Sequence, residues 1–175
     1  MRKALFLDRD GIINQDTGYL YQIKDCKFVE GVFELCQQAT REGWQIFVIT
    51  NQSGIARGLY SVQQMHQLHQ WMKYEFKQRG AHITQFYFCP HHSEKGEPPY
   101  DIKCSCRKPE PGLLLEAARQ HEVALPDSIM LGDKHSDMLA AKRAGIQRRI
   151  LLSSQYDQNS DAATQVIQKL EQIKL

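Results

Sequence analysis

Apolar residues in this chain follow two alternating patterns. Five short runs are almost wholly apolar, at 4–7, 44–49, 83–88, 128–131 and 149–152, and between them apolar residues recur at every third or fourth position. Short runs bounded by turn residues predict strands buried on both faces, and the spaced stretches predict amphipathic helices. One helix is expected over 31–42, with Val32, Phe33, Leu35, Cys36 and Ala39 inward and Gly43 just past its end. A second opens at Ser61-Val-Gln-Gln64, which has the form of a capping box, turns Met65, Leu68, Met72 and Phe76 inward, and closes near Gly80. His66 and His69 lie on it and are expected to be solvated or partly packed at the surface. A third helix is expected over 112–122, and a fourth ends at Gly145. The tail from Ser160, with Val166, Ile167, Leu170 and Ile173, predicts a last amphipathic helix.

Strands alternating with helices predict an α/β fold, a parallel sheet covered by helices on both faces. Three runs end on polar residues. The first stops on Asp8, Asp10 and Gly11, the second on Thr50-Asn-Gln-Ser-Gly54, and the fourth on Gly132-Asp-Lys-His-Ser-Asp137. These ends meet only if the strands are neighbours with the first in the middle. Right-handed crossovers then give the order 3-2-1-4-5, and a crevice opens where the winding reverses. The polar segment 14–30, with Asp16, Tyr19 and Tyr21, is long for a loop and is expected to form a flap over that crevice.

Two carboxylates at a strand mouth can hold a metal, exchange protons or attack phosphorus; they can also merely solvate a strand end. The convergence of Asp8, Asp10, Thr50, Lys108, Asp133 and Asp137 favours the chemical readings. Four acids with one lysine and one hydroxyl suit a magnesium-assisted reaction at a phosphate, because Mg²⁺ takes hard oxygen ligands and usually shares them with substrate phosphate. The formal net charge of +2 on 175 residues, with basic residues scattered, leaves no footprint for nucleic acid. No apolar stretch approaches the ~20 residues that span a bilayer. Met1-Arg-Lys-Ala-Leu5 runs straight into the first apolar run, so no signal peptide is expected. A cytoplasmic, monomeric protein of one domain is expected, and in that compartment clustered Cys and His read as metal ligands before disulfides.

Asp8-x-Asp10, Thr50 after the second strand, Lys108, and Gly132-Asp133-x-x-x-Asp137 resemble the four motifs of haloacid-dehalogenase-superfamily phosphatases. The resemblance implies a Rossmann-like three-layer sandwich and assigns roles. Asp8 is the expected nucleophile, and Asp10 the acid and base. Asp8, the Asp10 carbonyl and Asp133 bind Mg²⁺, with Lys134 adjacent. Thr50 and Lys108 steady the phosphoryl group, and Asp137 orients Lys108 or the metal's waters. Leu7-Asp-Arg-Asp-Gly11, Thr50-Asn-Gln-Ser-Gly-Ile-Ala-Arg-Gly58, Cys89-Pro-His-His92 and Cys104-x-Cys-Arg-Lys-Pro109 are similar to the heptose bisphosphate phosphatase family, within the histidinol-phosphate phosphatase-like group. Ile12 departs from that pattern, which often has threonine there. The resemblance implies that Asp16, Thr17, Gly18, Tyr19, Thr50, Asn51, Gln52, Ser53, Arg107 and Lys108 meet a sugar bisphosphate. It also implies a place in building the lipopolysaccharide core. Histidinol phosphate is the alternative substrate.

Cys89-x-His91 and Cys104-x-Cys106 offer four soft or borderline ligands, enough for one closed, structural zinc. His92 competes with His91, and the family pattern favours His91. The loop between these hooks has no apolar core of its own, so a metal offsets the entropy of ordering it. Cys26 and Cys36 are read as packing residues. A chain of this length has no room for a large cap domain, so the flap and this loop must border a fairly open site. A zinc-loop binding module with vestigial acids is the competing class, and the full set of six catalytic-type residues weighs against it.

Overall fold

The computed structural model describes residues 1–156 and 159–175. Six parallel strands form one sheet in the order β3-β2-β1-β4-β5-β6. They are β1 (Ala4–Leu7), β2 (Gln45–Asn51), β3 (Gln85–Cys89), β4 (Ile129–Gly132), β5 (Arg148–Leu152) and β6 (Gln165–Ile167). The helices are α1 (Val32–Arg41), α2 (Val62–Gln78), α3 (Gly112–His121) and α4 (His135–Ala144). The order expected from the sequence is present, with β6 added beside β5.

Alternation along the central strands builds two cores, since successive side chains point to opposite faces. Leu5, Leu7, Ile46, Val48, Ile129 and Leu131 pack on one face against Val32, Leu35 and Cys36 of α1 and Leu68, Met72 and Phe76 of α2. Ala4, Phe6, Phe47, Ile49 and Met130 pack on the other against Leu113, Leu114 and Ala117 of α3 and Met138, Ala140 and Ala141 of α4. The capping box at Ser61 forms as predicted: its hydroxyl accepts from the Gln64 N–H at 3.1 Å, and its own N–H donates to Gln64 Oε1 at 2.9 Å.

Two expectations need correction. The tail is not an amphipathic helix: 165–167 is strand β6, and a single 3₁₀ turn follows at Leu170–Gln172. Without it the parallel strand β5 would present an open edge, which folded proteins avoid. Ile167, Leu170 and Ile173 are buried while Val166 is 49% exposed, a pattern set by this edge and by the underside of α1. His69 is not a surface residue: it is 4% exposed. The segment 14–30 is also pinned more firmly than its composition suggests. Asn14 bridges Phe28, and Phe28 packs against Phe33, Trp71 and Phe76.

Candidate active site and thiol cluster

The carboxyl ends of β1, β2 and β4 bring the predicted residues together. Lys108 Nζ lies 2.8 Å from Asp8 Oδ1 and 2.7 Å from Asp137 Oδ1, and donates to the Ile49 carbonyl at 2.8 Å. Asp137 Oδ2 accepts the backbone N–H groups of Asp133 and Lys134 at 3.2 and 3.1 Å. Both oxygens of Asp137 are therefore engaged, whereas Asp133 Oδ1 is buried without a partner. Two glycines permit this crowding. A Cβ on Gly11, whose φ is +95°, would stand 2.2 Å from Asp133 Oδ2, and one on Gly132 would stand 2.4 Å from Asp137 Oδ2.

Asp10 is held differently. Its Oδ1 accepts from Arg9 Nη2 at 2.9 Å, Arg9 Nε at 3.3 Å and Asn14 Nδ2 at 3.0 Å, while its Oδ2 accepts from Gln52 Nε2 at 3.1 Å. Oδ2 carries the lighter load. Gln52 also donates to Thr50 Oγ1 at 2.8 Å and accepts from the Tyr60 hydroxyl. Asn51 clamps the Lys108 backbone, donating to its carbonyl at 3.1 Å and accepting its N–H at 3.0 Å.

Beside this cluster lies a cleft of about 520 Å³ lined by Asp10, Asp16, Gly18, Tyr19, Asn51, Gln52, Ser53, Arg107, Lys108 and Lys134, with Asp8, Thr50, Asp133 and Asp137 behind its lining. Thr17, expected with them, instead lines a neighbouring hollow with Leu20 and Lys24. The cleft has members the sequence reading missed. Tyr156, after β5, donates to Asp16 Oδ2 at 2.5 Å and carries the Lys134 ammonium 4.4 Å from its ring centre. Tyr60 and Ser136 also line it. Arg57 lies over the Tyr19 ring at 5.7 Å. Its Nε, like Arg107 Nη1, is buried with no acceptor, and neither guanidinium forms an ion pair among the described residues.

The acids repel one another. Burial, then the Asp137 charge, pushes Asp8 up to about 7 despite Lys108. Burial and the charges of Asp8 and Asp137 push Asp133 up to about 8. Burial opposes the Lys108 ammonium, but Asp137 and Asp8 outweigh it and raise its pKa above the ordinary lysine value. Buried, mutually repelling oxygens with one orphan fit a divalent cation, and hard carboxylates suit magnesium.

The linkage has a definite sign. Asp8 and Asp133 titrate higher when folded than in the unfolded chain, so the metal-free fold holds extra protons, and this stability is lost as pH rises through about 7–8. Protein dialysed free of magnesium should therefore melt at progressively lower temperature from about pH 5 to pH 8 and level off above that, and saturating magnesium should flatten the fall. Melting curves at fixed ionic strength check this; an equal slope with and without magnesium would contradict it.

Beyond β3, Cys89, His91, Cys104 and Cys106 have ligand atoms all within 4.8 Å of one another, a group able to hold a metal ion. Cys106 Sγ lies 2.8 Å from Cys89 Sγ, 3.4 Å from Cys104 Sγ and 3.4 Å from His91 Nδ1. The hydrogen bond between the two pulls the Cys106 thiol below the ordinary cysteine value and drives the Cys89 thiol above it. His92 is elsewhere, with its Nδ1 accepting the backbone N–H groups of Glu94 and Lys95.

The doubly wound sheet and the acid cluster at its reversal point define a hydrolase of the haloacid dehalogenase class. The HAD-hydrolase-like family matches residues 105–173. The D-glycero-beta-D-manno-heptose-1,7-bisphosphate 7-phosphatase of Pasteurella multocida is 43% identical over 174 residues, covering 99% of this chain and 94% of that protein. The enzyme of the same name from Vibrio cholerae serotype O1 is 44% identical over 151 residues, covering 86% and 81%. Among solved structures, the D,D-heptose 1,7-bisphosphate phosphatase from B. bronchiseptica, complexed with magnesium and phosphate, superposes with a TM-score of 0.78 at 28% identity over 95% of this chain and 93% of that one. The chain belongs to the D-glycero-beta-D-manno-heptose-1,7-bisphosphate 7-phosphatase family.

Proposed function

We propose that this protein hydrolyses the 7-phosphate of D-glycero-D-manno-heptose 1,7-bisphosphate through an aspartyl-phosphate on Asp8. It does so as a cytoplasmic monomer of one catalytic domain, 1–175, whose thiol loop spans 89–106. Product heptose 1-phosphate then serves lipopolysaccharide core synthesis. The observation that carries the substrate choice is the pair of unpaired guanidinium groups, Arg57 and Arg107, beside the cleft. A second phosphate supplies the acceptors they lack, and planar guanidinium groups suit phosphate oxygens. Histidinol phosphate brings an amine to that end instead, which two unpaired cations disfavour.

When bound at Asp8, Asp133 and the Asp10 carbonyl, magnesium supplies charge neutralisation for the phosphoryl oxygens. Asp8 attacks phosphorus, and Lys108, shared between Asp8 and Asp137, balances charge that builds on the phosphoryl group. Asp10 Oδ2 gives its proton to the departing sugar oxygen. As a carboxylate, it then takes a proton from the water that hydrolyses the aspartyl-phosphate. Thr50 and Ser53 donate to the phosphoryl oxygens. Zinc at Cys89, His91, Cys104 and Cys106 is structural, since four protein ligands leave no position for an activated water.

Initial rates on heptose 1,7-bisphosphate, histidinol phosphate and a 3′-phosphorylated oligonucleotide test this reading. The bisphosphate should give the highest kcat/KM; preferred cleavage of histidinol phosphate would transfer the function to that substrate. Arg107→Ala should lower kcat/KM for the bisphosphate by about 10–100-fold more than for p-nitrophenyl phosphate, mainly through KM, because it removes a contact outside the reacting phosphoryl group. Equal losses on both would move Arg107 into the chemistry or the fold.

A further inference from the structure

His69 of α2 is deeply buried, its ring stacked on Phe86 of β3 with centres 4.4 Å apart and planes at 21°. Its Nε2 lies 3.1 Å from Arg9 Nη1. A guanidinium nitrogen only donates, so Nε2 is the acceptor and the proton sits on Nδ1. That Nδ1 is buried with no partner. Burial, then the Arg9 charge, holds the ring's pKa well below its ordinary value, which keeps it a neutral acceptor. An apolar residue would fill the same space without orphaning a donor. A buried, half-satisfied imidazole is retained at a stability cost, and the group it serves accounts for that cost.

That group is Arg9, 1% exposed. Its Nε and Nη2 both point to Asp10 Oδ1, and Nη2 also donates to the Leu20 carbonyl at 2.8 Å in the flap. Among the described residues, only His69 holds the remaining terminal nitrogen, Nη1. We infer that His69 is a positioning residue for the acid–base carboxylate: by accepting from Arg9 Nη1 it fixes the plane of the guanidinium that aims Asp10 Oδ2 into the cleft. The inference rests on the reading of Asp10 as the group that protonates the leaving oxygen. It extends the active site through one layer of side chains, from Asp10 to Arg9 to the inner face of α2.

The test is the dependence of kcat/KM on the leaving group, since kcat/KM reports the steps up to its departure. An alkoxide needs a proton as it leaves; p-nitrophenolate does not. His69→Leu should lower kcat/KM on the sugar phosphate by about 10–100-fold, the scale of a misplaced catalytic group. Its loss on p-nitrophenyl phosphate should be no more than about a third as large. His69→Gln, whose Oε1 can replace Nε2 as acceptor, should recover most of the difference, and His69→Asn, too short to reach Arg9, should not. If the leucine variant fails to fold, the Gln and Asn pair carries the comparison. Asp10→Asn should show the same leaving-group split more strongly. Equal losses on both substrates in His69→Leu, or no recovery in His69→Gln, would overturn the inference while the Asp10 split stands. Absence of the split in Asp10→Asn would overturn the acid assignment itself, and with it this role for His69.

Discussion

Purified Asp8→Asn protein is expected to fold, bind zinc and release no phosphate. An amide nearly matches the carboxylate in shape but cannot attack phosphorus. It also removes a buried charge that helps to push the Asp133 carboxyl up, so the fold has nothing to lose from that repulsion. Lys108 keeps its contact with Asp137 and the Ile49 carbonyl. Losing a nucleophile typically costs on the order of 10⁴–10⁶ in kcat. Acid quenching of wild-type turnover followed by borohydride reduction should convert the phosphorylated Asp8 to homoserine, found by mass spectrometry. Activity above a trace in pure Asp8→Asn, or homoserine at another acid, would remove Asp8 from the nucleophile's role.

The second large effect is expected at the thiol cluster. Cys106→Ser removes one of the four groups proposed to hold zinc, the one whose Sγ approaches Cys89, Cys104 and His91. Structural zinc contributes about 10–16 kcal/mol in small zinc peptides, far more than the hydrogen bonds otherwise holding this loop. Those bonds include Glu97 N–H to the Ala56 carbonyl at 2.7 Å and Gly112 N–H to the Ser105 carbonyl at 2.9 Å. Arg107 and Lys108 follow Cys106 directly, so zinc loss should loosen the two cations that line the cleft. Activity should fall by about 10–100-fold, the scale of an ångström's misplacement. Elemental analysis should find no zinc, amide exchange should quicken over 89–109, and circular dichroism should show the sheet intact. Asn51 still clamps Lys108 from β2, so some activity should survive. Full activity without zinc would break the proposed link from the cluster to Lys108.

Much of this architecture was legible because parallel strands buried on both faces read as apolar runs, and the residues just past them read as chemistry. Asp8, Asp10, Thr50, Asp133 and Asp137 converge for that reason. The tail misled because apolar residues at three- and four-residue spacing fit an amphipathic helix. What decides between helix and strand there is the open edge of β5, which no local pattern carries. Met65, His69 and Met72 share one helical face, so spacing places His69 inward, and only its polarity argues for the surface. Tyr156 lies in a loop after β5 with no motif around it, and its hydrogen bond to Asp16 spans 140 positions of the chain. Asn51 and Gln52 line the cleft, yet their amides are also tied to Lys108, Asp10 and Thr50.

Phosphorus NMR of heptose 1,7-bisphosphate during turnover tests the central claim most directly. With magnesium present, the signal of the 7-phosphate should give way to inorganic phosphate while the anomeric 1-phosphate signal persists, and without magnesium the spectrum should not change. Loss of the 1-phosphate first, or hydrolysis at an equal rate without the metal, would contradict the account.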